Sequence, residues 1–151
     1  MQKCNGDGWG MMWLRNNHIR TFKSFSEEGL WDKYQELKEF NPIIHLRWKT
    51  HGDIDHENTH PHYCGHGIYL MHNGIVSTTI RDQAKSDTWH LAVDYLKPLF
   101  EKAINPHKMI RHPTFRERFE KIIGSENRIV LGDRGGYVFF NLPQWHKVTN
   151  V

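Results

Sequence analysis

Cysteine is scarce: Cys4 and Cys64 are the only two in 151 residues. One pair makes no disulfide framework, so the fold must rest on an apolar core rather than on covalent staples. Long apolar runs are missing as well, which argues against a membrane-spanning helix. The opening MQKCNGDGWG has no apolar segment of the kind a signal peptide needs, so a cytoplasmic setting is expected. An excess of one charge is also lacking. Twenty Lys and Arg stand against 17 Asp and Glu, for a net charge of +3 with neutral His. That is too balanced to argue for nucleic acid by charge alone, and no nucleic-acid partner is expected. No internal repeat or low-complexity linker divides the chain, and its length suits one domain over 1–151.

Apolar residues are plentiful enough for a core, at 38%, with 13% aromatic. Their spacing changes period along the chain. GMMWLR (10–15) and HIRTFK (18–23) read as two strands around an Asn16-Asn17 turn. Ser26 is placed to cap a helix carrying Leu30, Trp31, Tyr34, Leu37 and Phe40 on one face, stopped by Pro42. IIHLRW (43–48) and GIYLMH (67–72) read as strands, and GIVSTT (74–79) as an extension of the second. Ser86 or Asp87 then opens a second helix, in which Pro98 predicts a kink or a new segment. A third helix runs from about Pro113 to Gly124, and RIVLGDRGGYVFFNL (128–142) reads as a hairpin turning at 133–136. Hairpins mixed with helices predict an α+β fold with mostly antiparallel sheet. The cluster Met11-Met12-Trp13 is expected in the core.

The polar residues are unevenly spread. HLRWKTHGDIDHENTHPH (45–62) holds five of the twelve histidines, one arginine and three acids, and HNG (72–74) follows. Arg47 at a strand end can grip a carboxylate with two parallel hydrogen bonds, or simply form a surface ion pair. Asn73 and Gly74 offer a side-chain amide beside a backbone N–H, which suits an oxyanion hole or an ordinary Asn-Gly turn. Asp87 can hold an ammonium group or cap a helix. His51, His56, His60, His62, Cys64 and His66 raise zinc as an alternative, but their spacings match no closed four-ligand pattern.

Five motifs occur in one order: NGDGWG (5–10), HLRWKTHGD (45–53), ENTHPH (57–62), HNG (72–74) and SDT (86–88). In this the sequence resembles the class II glutamine amidotransferases, a branch of the N-terminal-nucleophile hydrolases. IGS (123–125) and the terminal LGDRGG…VFFN hairpin are similar to small, single-domain bacterial or phage-type members. The resemblance implies a four-layer αββα sandwich and release of ammonia from L-glutamine. It implies that Arg47 binds the α-carboxylate and Asp87 the α-ammonium, with Thr50 and His51 lining the pocket. Asn73 and Gly74 would form the oxyanion hole. Trp48, Asn58, His60 and His72 would give structural support. No cofactor and no metal are implied, and the ammonia would go to a separate synthase subunit or be released by plain glutaminase action.

The family's nucleophile is a cysteine at the mature N-terminus, at the head of a core strand. Here Gln2 follows Met1, and Cys4 lies only three residues before Asp7-Gly8. The family sets a whole strand and usually a helix between nucleophile and that motif, so Cys4 is a poor substitute. The expectation is therefore a domain lacking its first strand, with truncation preferred over degeneration. The alternative is a non-catalytic module that binds a ligand or a partner.

Overall fold

A computed structural model describes residues 6–149; Cys4 lies outside them. Strands β1 (Trp9–Arg15) and β2 (His18–Ser24) form the expected hairpin, with Asn16 and Asn17 both at positive φ in the turn. Asn tolerates that left-handed backbone better than most residues, which is why the pair marks the turn. Strand β3 (Ile43–Leu46) pairs antiparallel with β1, giving a three-stranded sheet in the order β2-β1-β3.

The second sheet is four-stranded, ordered β4-β5-β6-β7, and antiparallel throughout. Its strands are β4 (His62–Tyr63), β5 (Tyr69–Asn73), β6 (Arg128–Asp133) and β7 (Gly136–Phe140). The last two are the predicted terminal hairpin. GIVSTT does not extend β5 as a strand. Gly74 leaves the strand at φ +133°, and the N–H of Val76 is taken by the Asp87 carboxylate at 2.8 Å instead of a ladder partner.

Helix α1 (Glu28–Leu37) begins two residues after Ser26, and no side-chain oxygen caps it. Ser26 gives its carbonyl to Trp9 Nε1 at 2.7 Å instead. The predicted stripe on this helix is narrower than expected: Leu30, Tyr34 and Leu37 pack inward, while Trp31 remains 64% exposed. Helix α2 (Asp87–His90) is capped by Ser86, whose hydroxyl accepts from Trp89 N at 3.0 Å. It continues through a π-helical turn (Leu91–Leu96) into α3 (Lys97–Lys102). Pro98 explains the wide turn: it has no N–H for the Asp94 carbonyl, and its ring crowds that carbonyl. The kink predicted there is this turn. Short α4 (Pro106–Met109) was not foreseen; α5 (Pro113–Ile123) ends at Gly124, φ +82°, as its sequence predicts.

Three apolar clusters follow from period-two alternation along the strands. Trp9, Met11 and Trp13 face α1, packing on Leu30, Tyr34 and Leu37. The opposite face of the same sheet, with Met12, Leu14 and Ile19, meets Met71, Val130 and Phe139 of the second sheet. Beyond that sheet, Leu70, Ile129, Leu131 and Phe140 pack on Leu96, Phe100, Ile110 and Phe119. Both sheets are thus apolar on both faces. Among the described residues no helix is long and apolar enough to cross a membrane.

Candidate active site

The C-terminal ends of β3 and β5 and the start of α2 converge on a cavity of about 310 Å³. Arg47, Trp48, Thr50, His51, Asn58, His60, His72, Asn73, Gly74 and Asp87 all line it. Every site residue expected from the sequence within 6–149 therefore meets at one place.

Backbone geometry explains how the first motifs meet. The N–H of Arg47 donates to the Gly8 carbonyl at 2.8 Å, and the N–H of Lys49 to Asp7 Oδ2 at 2.8 Å. Gly10 must be glycine, because a side chain there would enter the volume of the His60 carbonyl oxygen. Asp-Gly-Trp-Gly thereby fixes both the segment after β3 that bears Arg47 and the loop that bears His60.

Arg47 is only 4% exposed. Its Nη2 reaches the His51 carbonyl at 3.3 Å, while the buried Nη1 has no hydrogen-bond partner among the described residues. Burial pulls the guanidinium below its ordinary pKa, and the carboxylates Asp55, Asp7 and Asp53 oppose that pull. A buried charge with a free donor carries a desolvation cost that an anionic ligand can offset.

Asp87 faces the same cavity and is also buried. Its Oδ1 accepts from Thr88 N and its Oδ2 from Val76 N, each at 2.8 Å. A carboxylate has about four lone-pair sites, so capacity for an ammonium donor remains. Asn58 is buried and fully used: Nδ2 donates to the carbonyls of Asp53 and Ala84, and Oδ1 accepts from Ser86 N at 2.7 Å. It ties the 53–58 loop to the segment that delivers Asp87. Gly52 allows the close approach, since a Cβ there would stand 2.7 Å from Ser86 N.

Under Asn73 and Gly74 lies a chain of hydrogen bonds that sequence reading missed. Asn127 Nδ2 donates to the carbonyls of Ile75 and Ile123 at 3.0 and 2.7 Å, so its Oδ1 faces His72 Nε2 at 2.7 Å. His72 Nε2 must then carry the proton, and in the neutral ring Nδ1 accepts from the Thr88 hydroxyl at 2.8 Å. Asn127 lies 55 residues from His72, with only the turn residues around Gly124 to mark it. No local pattern announces such a partner.

His60 does not brace the loop through hydrogen bonds. Both of its ring nitrogens are buried without partners among the described residues, and its ring lies 3.7 Å from that of His45 and 4.6 Å from that of His62, centroid to centroid. Burial pushes His45 down to about 4, and His60 and His62 well below the ordinary range. Trp48 is 71% exposed at the cavity rim rather than packed beneath it. Thr50 and His51 are exposed wall residues. Among the described residues no three His, Cys, Asp or Glu side chains are placed to hold a metal ion. Cys64 sits in the helix-side core, fully buried, and burial pushes its thiol up.

Comparison with known proteins agrees with the motifs. The family described as Glutamine amidotransferases class-II matches residues 2–91. The chain is 45% identical over 47 residues, 30% of its length, to a glutamine–fructose-6-phosphate aminotransferase (isomerizing) of Methanococcus maripaludis. It is 31% identical over 74 residues, 46% of its length, to the enzyme of that name from Staphylococcus aureus strain Mu50. It is 37% identical over 54 residues, 34% of its length, to the one from Shewanella oneidensis. These stretches span 8%, 12% and 9% of the respective relatives. With the family pattern running from Gln2 through the cavity residues to Leu91, this chain belongs to the class II glutamine amidotransferases.

Proposed function

We propose that the cavity binds L-glutamine and stabilises attack on its side-chain amide. The observation that carries this is the buried, half-partnered Arg47 guanidinium sharing a cavity of about 310 Å³ with the Asp87 carboxylate. Glutamine presents a carboxylate and an ammonium on one carbon and a neutral amide three bonds further on. Arg47 takes the carboxylate and Asp87 the ammonium. Thr50 and His51 form the wall along the aliphatic stem. The amide carbonyl points to Asn73 and Gly74. Attack on that carbonyl places negative charge on its oxygen, and the Asn73 amide with the Gly74 N–H receives it.

The attacking thiol belongs outside residues 6–149 in this reading. Cys64 is unsuited, since its burial disfavours the thiolate that does the chemistry. The three apolar clusters support an αββα sandwich of the N-terminal-nucleophile type: α1, two facing sheets, then the remaining helices. Ammonia released here passes to an acceptor on a separate synthase, or to solvent.

The test is calorimetry with L-glutamine and with 4-carbamoylbutanoate, which lacks only the α-ammonium. The expected result is at least tenfold weaker binding of the second compound, with Asp87→Asn removing the difference. Equal affinity of the two compounds for the unaltered chain would overturn the assignment of Asp87.

A further inference from the structure

We infer a second ligand site, for a single-chain amphiphile with an anionic head, among α3, α4 and α5. An apolar cavity of about 650 Å³ opens between Tyr95, Leu99, Ile104, Met109, Phe115 and Phe119. That volume is in the range of cavities that enclose a drug-sized ligand, about 300–1,000 Å³. Its floor is the stacked pair Phe115 and Phe119, ring centroids 5.3 Å apart, which continues into the core. Ile104 lies at its lip, fully exposed between α3 and α4. Its lining is mostly apolar with a few polar groups, as in small-molecule sites.

The charge around this cavity is one-sided. The cations Lys108 and Arg118 stand among its lining residues, and none of that lining is acidic. Through Asn105, Lys108 and His112 it adjoins a second cavity of about 410 Å³, which adds His107, Arg111 and Arg134. The buried acid Asp133 is held by residues of this second cavity: Arg111 at 2.6 and 2.7 Å and His107 at 2.8 Å. Among the described residues Lys108, Arg118 and Arg134 form no ion pair. An apolar slot beside uncompensated cations is complementary to an apolar chain ending in a carboxylate or phosphate. The site is separate from the glutamine cavity, sharing no lining residue with it, and stands whether or not that reading holds.

Isothermal titration with decanoate, decyl phosphate and decanol, each below its aggregation threshold, tests the assignment. One-to-one saturable binding of the two anions is expected, at least tenfold tighter than decanol. The double substitution Lys108→Glu and Arg118→Glu should abolish that preference. Ile104→Glu, at a fully exposed position that folding does not need, should weaken all three. Circular dichroism checks that each variant is folded. No saturable binding would overturn the proposal, and so would equal affinity for decanol and decanoate. Binding to anionic lipid vesicles without binding to the monomeric amphiphiles would overturn it too, in favour of a membrane-facing patch.

Discussion

His72 Nε2 and Asn127 Oδ1 stand 2.7 Å apart across 55 residues of sequence. That contact sets the imidazole's tautomer and, through Thr88, couples Asn127 to the Asp87 loop. It also dictates glycine at 74, where a side chain would collide with Asn127 Oδ1. Replacing Asn127 by Ala leaves buried partners unsatisfied, and each such loss costs about 1–3 kcal/mol. Gly74→Ala adds backbone strain at φ +133° to the collision. Both variants should melt earlier. Their combination should cost less than the sum, because Asn127→Ala removes the collision. Strict additivity in a denaturant-unfolding cycle would separate the two residues.

Asn73→Ala distinguishes chemistry from turn formation. In protein competent for glutamine hydrolysis, loss of one oxyanion donor should lower kcat by roughly 10²–10³ with little change in KM. A lower melting temperature with unchanged kcat per folded molecule would reduce Asn73 to a turn residue. Melting and turnover should be measured on the same samples.

Acid should destabilise the fold through its buried imidazoles. His45 is held near 4 and His60 and His62 are held low, all by burial first. The unfolded chain protonates these rings below about 6.5, whereas the folded one resists. Stability is therefore present above about pH 6.5 and lost as pH falls towards 4. His45 alone contributes on the order of 3 kcal/mol to that loss. The melting temperature should fall steeply over this window and less steeply in His45→Gln. Parallel curves for the two proteins would contradict it.

Cys64 should be chemically silent in the native protein. It is fully buried and its thiol is pushed up. At pH 8 a thiol reagent should label it only after denaturant is added, as peptide mass spectrometry would show. Stoichiometric labelling of native protein would place it at an accessible site.

The parts legible in sequence are those with local causes. Asn16-Asn17, Gly124 and the terminal hairpin announced themselves through turn chemistry, and Pro98 through its missing N–H. The cavity residues were legible as ordered motifs, not through any one residue. Arg47 alone fitted a surface ion pair, yet it is buried, and its Nη1 has no partner among the described residues. Contacts closed by tertiary structure were not legible. Asn127 meets His72 only once β5 and β6 pair, and the His45, His60 and His62 rings gather only when the two sheets close. Val76 turned away from a strand because a distant carboxylate claimed its N–H.

The central claim, a glutamine site anchored by Arg47, is tested most directly by titrating L-glutamine into the unaltered chain and into Arg47→Lys. Lysine keeps the charge but loses the planar two-pronged donor. The account predicts saturable one-to-one binding that weakens at least tenfold in the variant, about 1.4 kcal/mol. Equal affinity in the two proteins, or no saturable binding to the unaltered chain, would contradict it.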